Sequence, residues 1–180
     1  MSTKPKPDDL ADLSLGERAA VARLEAKLFG SSDLPTTIDR YQIQRLIGGG
    51  AFGKVYQAYD PTIDRAVAIK VLREADIAGA PERLLREAKV MATVSHANVA
   101  AVFDAGILGA GADARVFIVM ELVVGDNLRQ WLQSTPARDR IVDVMRQAGR
   151  GLAAAHGAGV IHGDFKPENM LVGNDGRVRV

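Results

Sequence analysis

A glycine cluster at residues 48–53 has strand-like sequence on both sides, and this arrangement fixes the class of fold. Residues 41–47 lead into the cluster, residues 54–59 lead out of it, and a β-branched run follows at residues 66–72. No helical pattern separates these segments, so they predict an antiparallel meander and exclude a strand–helix–strand unit. The first half of the chain is therefore expected to be a small β-rich lobe.

The second half of the chain changes to helical periodicity. Residues 81–95 predict one helix within the first lobe, and residues 116–122 predict another buried strand. Residues 125–127 are predicted to connect the lobes, and Thr135–Pro136 to cap a long helix. A hairpin turning at residues 174–176 follows. The apolar residues of the long helix repeat at helical spacing: Ile141, Met145, Ala148, Leu152 and Ala155.

The fold class predicted from this order is α+β, with a complete β-rich lobe and the first part of a helical lobe. Residues 1–9 are polar, residues 14–30 predict one helix, and residues 31–39 predict a linker. The predicted boundaries are an extension at 1–40 and a domain at 41–180, divided into a first lobe (41–120), a hinge (121–127) and a partial second lobe (128–180).

Composition excludes several kinds of partner. The net charge is +1, so the sequence lacks the basic excess of a nucleic-acid or membrane surface. It contains no cysteine, which rules out disulfides and thiolate catalysis and fits a reducing compartment. The longest mainly apolar stretch, Val116–Val124, is interrupted by Glu121 and is too short to span a membrane. We therefore expect a cytoplasmic protein that has no membrane segment within this chain and does not bind nucleic acid.

The glycines at positions 48, 50 and 53 form a G-x-G-x-x-G pattern that can bind phosphate. Glycine has no side chain, so backbone N–H groups can approach phosphate oxygens closely. A dinucleotide-binding fold would need a helix after the third glycine, whereas residues 54–59 continue as a strand. A plain glycine-rich hairpin is the other interpretation. The candidate phosphate loop comprises Ile47, Gly48, Gly49, Gly50, Ala51, Phe52 and Gly53.

Lys70 ends an apolar strand and is the candidate cation for phosphate. Its distance from Gly48 along the chain suits a hairpin that folds the next strand beneath the glycine loop. An anionic partner is needed, because ordering a flexible lysine costs rotamer entropy. Glu87 is the candidate, since it lies beside Leu84 and Met91 at helical spacing. The alternatives are a strand-edge charge for Lys70 and a solvated carboxylate for Glu87.

The stretch His162-x-Asp164-x-Lys166-Pro-x-Asn169 carries the candidate catalytic groups. Asp164 can accept or orient the proton of an incoming hydroxyl, and Lys166 can neutralise charge on a phosphoryl group in transfer. Asn169 offers an uncharged oxygen to Mg²⁺. Phosphoryl transfer needs positioning and charge stabilisation more than covalent help, and this set supplies both. An ordinary polar turn is the alternative interpretation.

Together these motifs resemble the protein kinases, and specifically the eukaryotic-like serine/threonine kinases of bacteria. The glycine loop, Val-Ala-Ile-Lys, a helix glutamate and a His-x-Asp loop occur in the family's order over residues 41–180. The resemblance implies a bilobed fold, ATP with Mg²⁺, and transfer of the γ-phosphate to Ser or Thr of a protein substrate. The Lys-Pro pair after Asp164 is similar to the serine/threonine branch.

The resemblance also implies roles for residues that no composition argument would select. Val55 and Ala68 would cover the adenine, Leu171 would form its floor, and Met120 would stand at the gatekeeper position. Backbone groups of Glu121 and Val123 would bind the adenine edge, and Asn127 would lie at the ribose edge. The histidines His96, His156 and His162 would be structural.

Two departures from the family pattern affect these expectations. Gly163 stands where the family commonly has the arginine that pairs with a phosphorylated activation loop, which puts that form of control in doubt. His-Gly-Asp also resembles small-molecule phosphotransferases, although Lys166 and Lys70 weigh against them. In addition, the sequence stops at Val180, before the family's Asp-Phe-Gly motif. We therefore expect weak or absent activity from these 180 residues alone, and a nucleotide-binding or regulatory module is the alternative. The oligomeric state is left open.

Overall fold

The computed structural model describes residues 37–50, 53–72, 81–109 and 115–180. These residues belong to one structural unit, Thr36–Val180. The helix predicted at residues 14–30 and the loop candidates Ala51 and Phe52 lie outside the described residues.

Six antiparallel strands form the sheet of the first lobe, in the order β1-β2-β3-β4-β6-β5. The side chains of Val67, Ile69 and Val71 alternate along the central strand and are buried, which is the period-two pattern of a sheet with one covered face. The strands are β1 (Thr37–Ile38), β2 (Tyr41–Gly50), β3 (Gly53–Asp60), β4 (Arg65–Leu72), β5 (Val102–Leu108) and β6 (Arg115–Glu121).

Helix α1 (Pro81–Met91) covers part of this sheet. Ala88 is buried and packs with Val116 and Ile118 of β6 in one apolar cluster. The sequence predicted a helix through residue 95, but α1 ends four residues earlier. The hydroxyl of Thr93 donates to the carbonyl of Val90 at 2.7 Å, and such a side-chain bond to the last turn competes with further helix.

The second lobe combines three short strands with one long helix. Its core contains Leu128, Val144, Ala148, Met170, Val172 and Val178. The strands pair in the order β7-β8-β9. The elements are β7 (Gly125–Asn127), α2 (Leu128–Trp131), α3 (Arg138–Gly157), β8 (Leu171–Gly173) and β9 (Val178–Arg179), with 3₁₀ turns at Leu132–Ser134 and Pro167–Asn169.

The segment at 125–127, predicted as a connector, is instead strand β7, which pairs with β8. Gly125 has a φ of +158° there, and a Cβ atom at this position would lie 2.2 Å from the carbonyl oxygen of Val172. The close approach of the two backbones explains why glycine occupies the position. This part of the predicted hinge is therefore hydrogen-bonded sheet.

Helix α3 also begins later than the sequence indicated. The N–H of Thr135 closes the preceding 3₁₀ turn on Leu132, at 3.1 Å, so Thr135 does not cap α3. Ala137 stands at the cap position without a side-chain hydrogen bond. The buried face of α3 is formed by Val144, Ala148, Gly151 and Ala155, whereas Met145, part of the apolar repeat read from the sequence, is exposed.

Two strands of the first sheet were missed. Ile38 is fully buried in β1, within the predicted linker, where it pairs with Tyr41. Strand β5 forms the other edge of the sheet. Within the described ranges, no helix has the length and apolar character needed to cross a membrane.

Candidate active site

The glycine cluster forms the tip of the β2–β3 hairpin, where Gly48 pairs with Val55 and Gly50 with Gly53. Gly53 has a φ of +145°, and a Cβ atom on it would lie 2.3 Å from the carbonyl oxygen of Val71. By contrast, a Cβ atom on Gly50 would have no heavy atom of the described residues within 4 Å. Gly53 is therefore required by the fold, whereas the open space at Gly50 leaves room for a ligand against the backbone.

One face of the sheet brings several predicted nucleotide contacts together. Gly48, Val55, Lys70 and Ile118 are successive partners across β2, β3, β4 and β6. Directly opposed residues of antiparallel strands project from the same face. Ala68, two residues before Lys70, projects from this face as well and pairs with Met120. The face therefore carries the predicted phosphate lysine, adenine cover and gatekeeper side by side.

Lys70 lies close enough to the loop at residues 162–169 to act on it electrostatically. The pKa of His162 is lowered chiefly because burial disfavours the charged imidazolium; Asp164 opposes this shift and the positive charge of Lys70 adds to it. The side chain of Glu87 is exposed on α1. The Lys70–Glu87 pair therefore stays a prediction.

Asp164, Lys166 and Asn169 form one hydrogen-bonded group. The ammonium of Lys166 lies 2.7 Å from Oδ2 of Asp164. The side-chain N–H₂ of Asn169 donates to the same oxygen at 2.9 Å and to the backbone carbonyl of Asp164 at 2.8 Å. Hydrogen bonding from Lys166, followed by that from Asn169, lowers the pKa of Asp164 against the opposing effect of burial. The carboxylate is therefore ionised at neutral pH and held in one orientation.

The backbone around this group explains how the loop keeps its shape. Gly163 has a φ of +70°, a conformation that glycine adopts without a steric cost. The ring of His162 packs edge-on against Phe165, with centroids 5.8 Å apart. Met170, directly after the loop, is buried and accepts the N–H of Leu128 at 2.8 Å. The loop is therefore anchored to the core of the second lobe at its carboxyl end.

The predicted adenine edge lies where β6 leaves the first sheet. The N–H of Glu121 donates to Ala101 at 2.8 Å, and the carbonyl of Val124 accepts from Asn174 at 2.8 Å. Between them, no backbone group of the described residues hydrogen-bonds to the N–H or C=O of Val123. Those two backbone groups are therefore the ones with which a bound ligand could pair, and the side-chain pattern alone did not reveal them.

Asn127 lies directly opposite Leu171 in the β7–β8 pair, so the structure brings the predicted ribose edge and adenine floor together. Asn127 is also the N-cap of α2. Its side-chain oxygen accepts the N–H of Gln130 at 2.9 Å, and its own N–H donates to the Gln130 side chain at 3.2 Å. A ribose contact would therefore have to come from the amide N–H₂ group.

Among the residues that the structure describes, no cluster of three or more His, Asp or Glu side chains is arranged to hold a metal ion. The candidate for Mg²⁺ is the side-chain oxygen of Asn169, whose amide nitrogen is already engaged by Asp164. An oxygen fixed in this way suits a hard cation that takes its other ligands from phosphate oxygens and water. The residues present therefore fit one ligand position of such a site.

Sequence reasoning missed Arg179. Its side chain is only 8% exposed and lies 2.8 Å from Glu121 and 2.8 Å from Asp175. The sequence predicted only that residues 177–180 form the second strand of the hairpin. Asp175, four residues before Arg179, could have indicated one ion pair. The second partner, Glu121, is distant in sequence and gives no local signal.

An antiparallel sheet with one helix and a strand lysine, followed by a helical lobe whose loop groups Asp164, Lys166 and Asn169, is the architecture of a protein kinase domain. Residues 41–180 match the family described as "Protein kinase domain", and the chain belongs to that family.

Similar proteins come from several bacteria. The serine/threonine-protein kinase PknA of Mycobacterium tuberculosis (strain ATCC 25618 / H37Rv) is 37% identical over 81% of this chain and 35% of its own length. A probable serine/threonine-protein kinase PknB of Lactococcus lactis is 41% identical over 79% of this chain and 23% of its own length. The solved kinase domain of Mycobacterium tuberculosis PknI matches with a TM-score of 0.68 and 28% identity, over 83% of this chain and 62% of that domain. The chain thus spans about a third or less of the length of these curated relatives.

Proposed function

We propose that the chain carries the nucleotide-binding lobe and catalytic loop of a bacterial serine/threonine protein kinase, which transfers the γ-phosphate of ATP to a Ser or Thr hydroxyl of a protein substrate. The observation that carries the proposal is the fixed, ionised carboxylate of Asp164 between Lys166 and Asn169. The names of the similar bacterial kinases support the choice of Ser and Thr.

Nucleotide binding would use the shared sheet face and the segment after β6. The β2–β3 hairpin would cover the phosphates with backbone N–H groups, and Lys70 would supply the positive charge. Val55 and Ala68 would pack on one side of the adenine and Leu171 on the other. The backbone groups of Val123 and the carbonyl of Glu121 would hydrogen-bond its edge, beside Met120. Mg²⁺ held through Asn169 would neutralise charge on the phosphates.

In the transfer step, the hydroxyl oxygen forms a bond to the γ-phosphorus while the bond from that phosphorus to the β–γ bridging oxygen breaks. Asp164 orients the hydroxyl and takes its proton. Its lowered pKa makes it a weak base towards a free hydroxyl, so orientation of the attacking oxygen is its larger contribution. Lys166, on the same carboxylate, stabilises the negative charge on the group in transfer.

Transfer and binding should be measured separately. The 180-residue chain is incubated with γ-labelled ATP, Mg²⁺ and a mixture of protein substrates, and nucleotide affinity is measured by calorimetry. We expect at most weak label on Ser and Thr, loss of that label in Asp164→Asn with nucleotide affinity retained, and weaker nucleotide binding in Lys70→Met. Nucleotide binding without transfer would favour a nucleotide-binding or regulatory module. Label on sugars or choline in place of protein would favour a small-molecule phosphotransferase.

The reaction requires ATP and a protein substrate, and we place it in the cytoplasm. That assignment can be checked by fractionating cells of the source organism and probing for the chain. Recovery of the chain in a non-cytoplasmic soluble fraction would contradict it.

A further inference from the structure

Both terminal nitrogens of the Arg179 guanidinium group contact carboxylates, while its buried Nε has no hydrogen-bond partner among the described residues. One terminal nitrogen, Nη2, lies 2.8 Å from Oε1 of Glu121 and donates to Oδ2 of Asp175 at 2.8 Å. The other, Nη1, donates to Oδ1 of Asp175 at 2.8 Å. With 8% of its side chain exposed, Arg179 is among the few buried charged residues of the described chain. Its orientation is therefore fixed by two carboxylates from different parts of the fold.

The two carboxylates belong to segments that meet at the predicted adenine edge. Glu121 is the last residue of β6, and Asp175 lies in the turn between β8 and β9. Asn174, next to Asp175, donates its N–H to the carbonyl of Val124 at 2.8 Å. The β8–β9 hairpin thus holds the segment on both sides of Val123, through Arg179 at Glu121 and through Asn174 at Val124.

Arg179 is buried, whereas Glu121 and Asp175 are partly exposed. An ion pair that buries one of its charges gains less stability than its attraction suggests, because desolvating that charge offsets part of the attraction. Its best-supported use is to select one arrangement of the backbone. Arginine is suited to this, since its planar fork holds two partners in fixed directions, whereas a lysine at the same position could satisfy only one of them well.

We propose that Arg179 is a positioning residue for nucleotide binding, which acts through Glu121 to hold the backbone of residues 121–123 in the orientation that binds the adenine edge. The proposal rests on the proposed function, because it requires adenine nucleotide at this segment. It deepens that function by separating adenine recognition, set by Arg179, from phosphate recognition, set by the glycine hairpin and Lys70.

The test compares ADP and inorganic pyrophosphate as ligands of the 180-residue chain, by calorimetry, in the wild type and four variants. Arg179→Met and Glu121→Gln should each raise the Kd for ADP about fivefold or more, while the Kd for pyrophosphate changes less than about twofold. Arg179→Lys should recover part of the ADP affinity. Arg177→Met is the matched control, because Arg177 pairs with Asp175 from the same hairpin but does not contact Glu121; it should bind both ligands like the wild type.

If Arg179 had a purely structural role, its replacement would partly unfold the chain and weaken the binding of ADP and of pyrophosphate alike. Circular dichroism would detect that unfolding. If Arg179→Met fails to fold, Glu121→Gln still tests the proposal, since it removes one charge and keeps the side-chain shape. ADP affinities of both variants equal to the wild type would overturn the positioning role alone. A wild-type chain that binds no ADP would instead overturn the proposed function and, with it, this inference.

Discussion

The side-chain amide of Asn169 donates to both the backbone carbonyl and the carboxylate of Asp164, at 2.8 and 2.9 Å. One side chain thereby fixes the position of the catalytic carboxylate and leaves its own oxygen directed elsewhere, as a metal ligand requires. In the proposed function, binding of Mg²⁺ and orientation of the substrate hydroxyl would therefore be coupled through this one residue.

Asn169→Ala is expected to lower the rate of phosphotransfer at saturating ATP by about 100-fold, since small misplacements of a catalytic group have effects of that size. The rate should also lose its steep dependence on Mg²⁺. Glu168→Gln is the matched control, because Glu168 lies on the same 3₁₀ turn but pairs with Arg129, at 2.6 Å. A similar loss in both variants would show that the turn, and not the Asn169–Asp164 contact, matters.

Gly53→Ala is expected to destabilise the chain, because a methyl group would meet the Val71 carbonyl and the backbone would keep a positive φ. The expected loss in the free energy of unfolding is about 1–3 kcal/mol, measured by urea denaturation. Gly50→Ala should change the free energy of unfolding by less than about 1 kcal/mol, since no described atom lies near the added methyl group. Equal stability of the two variants would contradict the distinct roles assigned to these glycines.

The strands around these glycines could be predicted because period-two alternation and turn residues are local signals. Strand β5 could not, because Asp104 and Gly106 interrupt its apolar pattern. The structure shows why the polar residue is tolerated: the hydroxyl of Tyr41 donates to Asp104 at 2.8 Å. A contact between residues so far apart in sequence leaves no periodic trace, so the place of this strand at the sheet edge was decided by tertiary structure.

The residues of the candidate site also differ in whether local sequence could predict them. Asp164, Lys166 and Asn169 lie within six consecutive residues, so their grouping could be predicted from spacing alone. Arg179 depends on Glu121 from the other lobe, and Arg177 gives the same local pattern while remaining exposed. Which arginine of the hairpin becomes buried is determined by the distant carboxylate.

Gln147 on α3 forms a polar connection that sequence reasoning also missed. Its side-chain oxygen accepts the N–H₂ of Asn98 at 3.1 Å and the backbone N–H of Val178 at 2.9 Å. Gln147→Leu would remove this acceptor from donors at the edge of the core and should cost about 1–3 kcal/mol in the free energy of unfolding. Arg146→Gln, one residue earlier on an exposed face, is the control. A Gln147→Leu chain as stable as the wild type would show that water replaces the lost acceptor.

Acid should destabilise the chain partly through Asp175. Hydrogen bonds from Arg179 and from the backbone N–H of Arg177 lower the pKa of Asp175 well below its usual value. Because the folded-state pKa is depressed, this stabilisation is complete above the pKa of an unfolded aspartate, about 3.9, and is lost as the pH falls below it towards the folded value.

Asp175→Asn should therefore be less stable than the wild type at pH 7 and show a flatter decline between about pH 5 and pH 3, because it has no carboxylate to protonate there. Urea denaturation midpoints measured across that pH range give the slope of stability against pH for the wild type and for Asp175→Asn. Asp139→Asn removes the same formal charge from α3, away from Arg179, and controls for net charge. An Asp175→Asn slope as steep as that of the wild type would mean that the Arg179–Asp175 pair does not contribute to acid sensitivity, and that other carboxylates on the fold set it.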